Sequence, residues 1–328
     1  MDPLESSLAY VPNARDLAIV RCLPLDLVPT ISVVIPSFNQ AVFLRQTLDS
    51  VFAQDYPKLE VFVADGGSSD GSVEILKEYR SKHPDVFRFV SEVDGGQANG
   101  LNRAIDATSG ELVAWINSDD VYLPGTFWKV FSFFHFNRCA LVVYGRNWYT
   151  DEKLVRKFEY PVRWSANQRE QRRRMMHFCL VPQPSLFFRR VCALSFGGPH
   201  PSNALDYDLW LRWQKYVPFY FIDDVLSYSR LHADCKTVAL GRSLYEEIFR
   251  ILHYHYGTIP FNFTEMLSQH EAYGNGWTTG QVMPITPSIR RRAAAYWIYY
   301  NVRWFPRAIV RAISEIRKHV WDSIHGRF

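Results

Sequence analysis

Short apolar runs alternate with longer, more polar segments over residues 30–120. The runs at 31–35, 59–64, 86–93 and 111–116 are rich in β-branched and aromatic residues, which is typical of buried strands. The segments 41–53, 70–80 and 97–108 that separate them are predicted to be helices. Strands separated by helices of this length indicate a parallel sheet with right-handed crossovers. The pattern therefore predicts an α/β fold.

The pattern continues less regularly after residue 120. Pro124 suits the first position of a predicted helix over 125–136, and residues 140–144 form another apolar run. Residues 145–163 alternate as a hairpin does, and the runs at 185–188 and 219–222 are predicted to complete the sheet, with a helix over 206–216 between them.

Three regions follow from this pattern. Residues 1–29, punctuated by prolines, are expected to be an irregular or peripheral lead-in. Residues 30–240 form the predicted sheet domain, with halves at 30–120 and 121–240. Residues 241–328 are predicted to be a helical C-terminal region.

Composition bounds the class of protein. A chain of 328 residues with 48% hydrophobic residues can bury a sizeable core. Its five cysteines show no CxxC spacing, which argues against a disulfide framework and for a reducing compartment. The N-terminus lacks the pattern of a secretory signal, and no uninterrupted apolar stretch approaches the ~20 residues that span a bilayer. We expect a cytoplasmic protein.

The most informative polar positions are Asn117, Ser118, Asp119 and Asp120, which follow an apolar strand. The carboxyl ends of such strands are where open α/β sheets bind ligands. Two adjacent carboxylates repel unless a cation or an oxygen-rich ligand compensates them. The pattern favours a divalent metal carrying a nucleotide diphosphate, although an isolated Ser-Asp-Asp is more often a solvated turn.

Six short motifs stand in order along the chain, most of them at predicted strand ends. They are residues 34–39 (VIPSFN), 64–71 (ADGGSSDG), 91–97 (SEVDGGQ), 117–120 (NSDD), 182–185 (PQPS) and 205–212 (LDYDLWLR). Together they resemble the motifs of inverting, family 2 glycosyltransferases with the GT-A fold, over roughly residues 30–235. The resemblance implies a mixed, mostly parallel sheet flanked by helices, with a helical C-terminal extension.

The resemblance also implies a donor site. It makes Asp120 the first metal ligand, for Mn²⁺ or Mg²⁺, and brings His232, from an Arg-x-His segment, close to the metal or the diphosphate. A lone histidine is more often a satisfied core or surface residue. Arg230 and Lys236 are candidates for phosphate contact. The expected nucleotide-sugar contacts are Pro36, Phe38, Asn39, Asp65, Asp94, Gln97, Asn102 and Asp119.

On the acceptor side the resemblance makes Asp206 the catalytic base. Relatives commonly have Glu-Asp at 205–206, and Leu205 replaces the glutamate here. A helix N-terminus would keep Asp206 ionised, so it could accept the proton of an attacking hydroxyl; the alternative is a simple helix cap. Gln183 and Trp210 are expected acceptor contacts, although large aromatics at helical spacing are more often core residues.

Residues 286–328 combine many arginines with tryptophan and tyrosine. This composition suits a helix in an anionic membrane interface, or equally a packed helix with a solvated basic face. The membrane interpretation would favour a lipid-linked glycan as acceptor. The charge also fits nucleic-acid binding, but nothing else supports it, and we expect none.

The sequence thus predicts a metal-dependent inverting hexosyl- or N-acetylhexosaminyltransferase. Its donor would be a nucleotide diphosphate sugar, UDP-linked by resemblance, and its acceptor a glycan or lipid-linked glycan in cell-envelope polysaccharide or similar synthesis. One alternative is a nucleotidyltransferase, which needs a basic, glycine-rich loop that residues 36–40 lack. Another is a nucleotide-sugar or glycan-binding module without turnover, against which the retained Asp206 argues.

Overall fold

A computed structural model describes residues 9–275, 283–302 and 315. The described residues form two compact units. The first comprises residues up to Met175 together with Cys179–His232, and the second comprises Met176–Phe178 and the described residues from Ala233 onward. All five cysteines are free thiols.

The first unit is built on a nine-stranded mixed sheet. Strand order is β3-β2-β1-β4-β8-β6-β9-β5, and β7 pairs with β6. The first four strands run parallel to one another, and β8 runs antiparallel to both β4 and β6. The strands are β1 (Ile31–Ser37), β2 (Leu59–Asp65), β3 (Phe87–Ser91), β4 (Leu112–Trp115), β5 (Val121–Tyr122), β6 (Val142–Thr150), β7 (Arg156–Glu159), β8 (Leu186–Arg189) and β9 (Phe219–Arg230).

Helices flank this sheet, which confirms the predicted α/β fold. The helices within residues 30–120 are α2 (Ala41–Phe52), α3 (Ser72–Lys82) and α4 (Gln97–Ala107). They are preceded by α1 (Ala14–Arg21) and followed by α5 (Thr126–Phe136), α6 (Gln168–His177), α7 (Val191–Phe196) and α8 (Leu205–Trp213). The strand and helix positions predicted over residues 30–120 agree with these bounds to within two residues.

Two local predictions were wrong. Pro124 does not open α5, because Gly125 in a left-handed conformation (φ 76°) follows it and the helix begins at Thr126. The lead-in is not irregular, because Asn13 accepts a hydrogen bond from the Asp16 N–H (2.9 Å) and caps α1. Tyr10 joins the same unit, since its N–H donates to Phe221 O at 3.0 Å.

The position of Pro36 explains where the ligand-binding edge begins. All seven residues of β1 are buried, and β1 pairs with β2 on one side and β4 on the other. The register with β4 ends at Val34 and Trp115, and the Ile116 N–H donates to Val34 O. Proline has no N–H to continue the ladder. The chain after β4 is therefore released into the turn that carries Asp119 and Asp120.

The second unit is helical, as predicted from residue 241 onward. It contains α9 (Lys236–Ala239), α10 (Arg242–Tyr256), α11 (Phe261–Tyr273) and α12 (Pro287–Val302). Trp297 of α12 is buried and donates its indole N–H to Ile259 O (2.8 Å). Tyr296 donates to Glu271 of α11 (2.8 Å).

The described part of the basic, aromatic tail therefore packs on neighbouring helices. Within the described residues, no helix is both long and apolar enough to cross a membrane. Residues 303–314 and 316–328, on which most of the membrane prediction rests, lie outside the described residues.

Candidate active site

The turn after β4 is fixed from beneath by α2. The Thr47 hydroxyl donates to the backbone oxygens of Ser118 (2.9 Å) and Asp120 (2.7 Å), and all three residues are buried. A buried hydroxyl that serves two backbone carbonyls holds the turn in one conformation. The backbone that carries both carboxylates is thereby held in place.

Asp120 points into the protein. Its residue is 5% exposed, and its Oδ1 accepts the Arg230 backbone N–H at 3.0 Å. Burial raises the pKa of the Asp120 carboxyl well above its usual range, the neighbouring Asp119 adds to the increase, and Arg230 opposes it. Asp120 therefore joins the turn to the end of β9, and its role as the first metal ligand stays a prediction.

Asp119 instead meets His232. Asp119 Oδ2 lies 3.0 Å from His232 Nε2, and the exposed fractions of the two side chains are 16% and 4%. The ring of Phe43 lies against the imidazole, with centroids 4.7 Å apart. The partner of His232 is therefore Asp119, which was expected to be a nucleotide-sugar contact. That His232 lies close to a metal or a diphosphate stays a prediction.

Arg230 places a buried positive charge beside this pair. Its Nη2 donates to Gln46 Oε1 (2.7 Å), and its guanidinium lies 4.5 Å from the centre of the Phe43 ring. Its Nε and Nη1 are buried and have no hydrogen-bond partner among the described residues. Burial lowers the pKa of Arg230, whereas Asp120 and Asp119 raise it. The cation therefore offsets part of the negative charge of the turn.

Asp65 organises the loop after β2. It is buried, and its carboxylate accepts hydrogen bonds from the Ser68 hydroxyl (2.5 Å), the Ser91 hydroxyl (2.6 Å) and the backbone N–H groups of Ser68 and Gly67. A direct contact with a nucleoside base stays a prediction. What the structure shows is an anchor for the loop.

Phe38 and Asp94 flank Gly66 at the same sheet edge. A Cβ built on Gly66 would lie 3.3 Å from Phe38 Cδ2 and 3.7 Å from Asp94 Oδ1. The Phe38 ring is 59% exposed, which leaves an aromatic surface beside a carboxylate. Asn39 takes a left-handed conformation (φ 51°), and its Oδ1 accepts the Ser69 N–H (3.0 Å). That Phe38 and Asp94 contact a nucleoside stays a prediction.

Two other expected donor contacts, Gln97 and Asn102, bind protein. Gln97 Nε2 donates to Asn117 Oδ1 (3.0 Å), and Asn117 in turn donates to Gln183 Oε1 (3.0 Å). Gln183 Nε2 donates to Trp115 O at 2.7 Å. Gln183, the expected acceptor contact, is therefore part of an amide network beneath the turn. Asn102 donates to Pro199 O (2.9 Å) and so holds the loop before α8.

Asp206 stands in the first turn of α8, as predicted. Its residue is half-buried, and its Oδ1 accepts the Tyr207 N–H (2.8 Å). Burial, followed by the charge of Asp206, raises the pKa of the Cys179 thiol to about 12. Tyr160 donates its hydroxyl hydrogen to Cys179 O (2.8 Å). Asp206 is therefore grouped with a thiol and a phenol that the sequence did not single out.

The prediction that Trp210 contacts the acceptor was wrong. Its side chain is fully buried, and its ring packs against those of Trp115 (6.0 Å between centroids) and Trp213 (5.7 Å). No ring face is left for a sugar, so Trp210 is a core residue. Asp208, in the same first turn of α8 as Asp206, forms an ion pair with Arg212, whose Nε lies 3.0 Å from Asp208 Oδ2.

The contacts that α2 makes with this site were not predicted from the sequence. Phe43, Gln46 and Thr47 respectively support His232, Arg230 and the turn after β4. The one signal available was that polar Thr47 lies on the apolar face formed by Leu44, Leu48 and Val51. Contacts across more than 70 residues of chain cannot be read from helical spacing alone.

Asp119 and His232 suit a divalent metal. A carboxylate oxygen and an imidazole nitrogen are both ligands that Mn²⁺ accepts, and they already lie within one hydrogen-bond length. In the part of the chain that the structure describes, no cluster of three or more His, Cys, Asp or Glu side chains could hold a metal. Mg²⁺ and similar ions are often held by one or two protein groups together with substrate phosphates and water.

Comparison with known proteins identifies the family. The family model "Glycosyl transferase family 2" matches residues 32–194. Proteins described as uncharacterized glycosyltransferases are 26% identical over 214 residues in Rickettsia felis and 27% identical over 227 residues in Rickettsia typhi. These alignments cover 63% and 67% of this chain, and 35% and 69% of the relatives.

The Escherichia coli chondroitin synthase is 28% identical over 223 residues, which is 67% of this chain and 31% of that protein. This chain thus spans about a third of the length of two of these three relatives.

Solved structures agree on the fold. Staphylococcus aureus TarS 1–349 in complex with UDP-GlcNAc superposes with a TM-score of 0.56 at 16% identity, covering 91% of this chain and 93% of that one. A mannosyltransferase from Pyrobaculum calidifontis, in complex with GDP-Man and Mn²⁺, superposes with a TM-score of 0.55 at 17% identity. The superposition covers 93% of this chain and 86% of that one. With its family 2 domain and this mixed sheet, the chain belongs to glycosyltransferase family 2 and has the GT-A fold.

Proposed function

We propose that this glycosyltransferase moves a hexosyl or N-acetylhexosaminyl group from a nucleotide diphosphate sugar to a hydroxyl of a glycan or lipid-linked glycan. The reaction is metal-dependent and inverts the anomeric centre, and the favoured nucleotide is uridine diphosphate. Its setting is the synthesis of a cell-envelope polysaccharide or a similar glycan. The matches to a chondroitin synthase and to a fold neighbour that binds UDP-GlcNAc support this choice.

One observation carries the proposal: Asp119 and His232 converge at the end of β4 (3.0 Å between Oδ2 and Nε2) beside the buried cation of Arg230. These two side chains would hold Mn²⁺ or Mg²⁺. The bound metal would neutralise charge on the departing diphosphate. Arg230 adds a fixed positive charge beneath the same place, in surroundings where burial strengthens electrostatic interactions.

The remaining donor residues position the nucleotide. Phe38 offers an exposed ring face to the base, and the Asp94 carboxylate beside it can accept hydrogen bonds from the nucleoside. Asp65, Asn39 and Ser68 hold the intervening loop in shape. The nucleotide would thus meet a surface that is formed before it binds.

Asp206 would accept the acceptor proton. A carboxylate in the first turn of a helix is stabilised in its ionised form by the helix dipole. As the acceptor oxygen attacks the anomeric carbon, its proton passes to an Asp206 carboxylate oxygen, and the bond to the diphosphate breaks on the opposite face. A single displacement of this kind inverts the anomeric centre.

Whether Asp119 or Asp120 is the metal ligand is tested by Mn²⁺-dependent binding of UDP, measured by calorimetry. Asp119→Asn should weaken UDP binding in Mn²⁺ by about 10- to 100-fold or more, since it removes an ionised ligand. Asp120→Asn is the matched control, because an amide oxygen can still accept the Arg230 N–H. It should keep the Mn²⁺ dependence.

The opposite result, with Mn²⁺ dependence lost in Asp120→Asn and kept in Asp119→Asn, would show that Asp120 is the metal ligand.

A screen of uridine, thymidine and guanosine diphosphate sugars for thermal stabilisation with Mn²⁺ identifies the donor, because a ligand of the folded state raises its stability by mass action. If none stabilises the protein, the proposed donor class is wrong.

The proposed location is the cytoplasm, at the inner face of the cytoplasmic membrane, with residues 286–328 against anionic lipid. Flotation with anionic liposomes tests it. A chain truncated after Val302, which keeps α12 and its buried Trp297, should lose lipid binding that the full chain shows. Equal flotation of both chains would contradict the proposal.

A further inference from the structure

Three aromatic side chains form a stripe on one face of the β6–β7 hairpin. Tyr149 lies opposite Phe158 in the register, with ring centroids 5.1 Å apart. Tyr160 follows two residues after Phe158, and its ring centroid lies 5.6 Å from that of Tyr149. We call Tyr149, Phe158 and Tyr160 the hairpin stripe.

The hairpin stripe is neither core nor ordinary surface. All three residues are half-buried, whereas Tyr144 on the same strand is 4% exposed and packs in the interior. Successive residues of a strand face opposite sides, so Trp148 lies on the other face of the hairpin. There the Arg156 guanidinium covers the Trp148 ring at 5.2 Å. The stripe thus presents partly open rings on one face only.

One end of the stripe is joined to a segment that contacts the start of α8. Met175, four residues before Cys179, accepts the hydroxyl hydrogen of Tyr207, which follows Asp206 in α8. Tyr160 donates its hydroxyl hydrogen to Cys179 O (2.8 Å) and is thereby fixed to the segment before β8. Burial raises the pKa of the Tyr160 phenol well above its usual range, and the charge of Asp206 is among the smaller causes that add to the shift. The same carboxylate acts on the Cys179 thiol. The negative charge of Asp206 therefore contributes to the raised pKa of both the Tyr160 phenol and the Cys179 thiol.

The chemistry of the stripe selects a class of ligand. Aromatic faces bind the apolar C–H faces of sugar rings, and a tyrosine hydroxyl can also exchange hydrogen bonds with sugar hydroxyls. The loop and second strand of the hairpin carry no net charge, which argues against a site for an anionic polymer. Residues 151–159 hold three acidic side chains, Asp151, Glu152 and Glu159, and three basic ones, Lys153, Arg156 and Lys157.

We propose that the hairpin stripe is an acceptor subsite, on which the pyranose ring of a neutral glycan stacks so that its hydroxyl reaches Asp206. The inference rests on the proposed function, because it takes Asp206 as the base of the transfer. It specifies the acceptor as a sugar ring held by stacking, and it places the recognition on residues 149–160.

The test uses the full chain and two readouts. An array of neutral and uronic-acid-containing oligosaccharides, probed in the presence of UDP and Mn²⁺, reports glycan binding. Slow hydrolysis of the nucleotide sugar without acceptor reports the donor side. Tyr149→Ala and Phe158→Ala should each weaken binding of neutral oligosaccharides about three- to tenfold, the usual worth of one ring contact, and raise the acceptor KM to match. Donor hydrolysis should stay unchanged.

Two controls separate binding from folding. Phe158→Tyr keeps a ring on the stripe and should retain wild-type affinity, while Trp148→Ala removes a ring of similar size from the opposite face and should leave glycan binding unchanged. Equal losses in Trp148→Ala and Tyr149→Ala would show that only the integrity of the hairpin matters, and would overturn the subsite.

Failure of the subsite and failure of the proposed function are distinguishable. A wild-type protein that hydrolyses nucleotide sugar but binds no neutral glycan refutes the subsite and leaves the proposed function standing. Absence of any nucleotide-sugar binding refutes both.

Discussion

On the donor side, the carboxylates of Asp65 and Asp120 are buried and hydrogen-bonded to the protein, whereas on the acceptor side Asp206 is half-buried in the first turn of a helix, near half-buried aromatic rings. Asp65 accepts four hydrogen bonds, and Asp120 accepts the backbone of β9 from within the core. In the hairpin stripe, the Tyr149 ring lies against those of Phe158 and Tyr160, and Tyr160 donates to Cys179 O.

This difference has a physical reason. A diphosphate and a metal concentrate charge, so the groups that meet them gain from being fixed in advance by buried hydrogen bonds. A neutral sugar offers weak, distributed contacts, for which partly exposed rings suffice. The donor side should therefore respond sharply to single substitutions, and the acceptor side in small steps, except at the base.

The largest effect is expected at Asp206, the proposed base. Asp206→Asn removes the group proposed to accept the acceptor proton, and the rate of transfer should fall by ~10²–10⁴-fold. Affinity for nucleotide sugar with Mn²⁺ should be unchanged, since Asp206 lies outside the donor cluster. Steady-state kinetics and calorimetry on the same preparation measure both.

The exposed carboxylate of Asp223 provides the control, and Asp223→Asn should transfer at the wild-type rate. Full turnover in Asp206→Asn would remove this carboxylate from the mechanism and leave the acceptor side without a known base.

A smaller effect, on stability, is expected at Trp210. Trp210→Ala deletes a fully buried ring that packs on Trp115 and Trp213, and should lower the free energy of unfolding by about 3–5 kcal/mol. Denaturant titration measures the loss. The acceptor KM of the protein that remains folded should change little. A stable variant with a strongly raised acceptor KM would instead make Trp210 a sugar contact.

The order of strands and helices over residues 30–120 could be predicted because it depends on local periodicity. The role of each carboxylate in the turn could not. Asp119 and Asp120 are adjacent and chemically identical, and what separates them is the backbone N–H of Arg230, 110 residues away, which takes Asp120 inward. Trp210 shows the same limit, since helical spacing places a ring on a face without revealing what covers that face.

The hairpin stripe was missed for a related reason. Alternation over residues 145–163 predicted a hairpin, and the pairing of β6 with β7 confirms it. That Tyr160 lies beside Cys179 and Asp206 depends on three segments separated by at least 19 residues, which no motif connects. Donor residues follow strands directly and can be found by position, whereas these acceptor residues meet only in the folded chain.

The smallest expected effect is on the rate at which the Cys179 thiol, a probe of the acceptor side, reacts with an alkylating reagent. Burial and the charge of Asp206 raise the pKa of its thiol to about 12, from an ordinary value of 9.0. At pH 8–9 the thiol therefore stays protonated, and Cys179 should react with iodoacetamide far more slowly than the exposed Cys22 and Cys139. Mass spectrometry of each cysteine peptide over time measures these rates.

The same measurement on Asp206→Asn isolates the effect of the Asp206 charge on the Cys179 thiol. Loss of the carboxylate removes one of the two causes that raise the thiol pKa, so the pKa should fall and the rate at Cys179 should rise, by less than about tenfold because burial remains. Asp223→Asn should leave the rate unchanged. An unaltered rate in Asp206→Asn would place the carboxylate too far from Cys179 to act on it, and would separate Asp206 from the end of the hairpin stripe that it is proposed to serve.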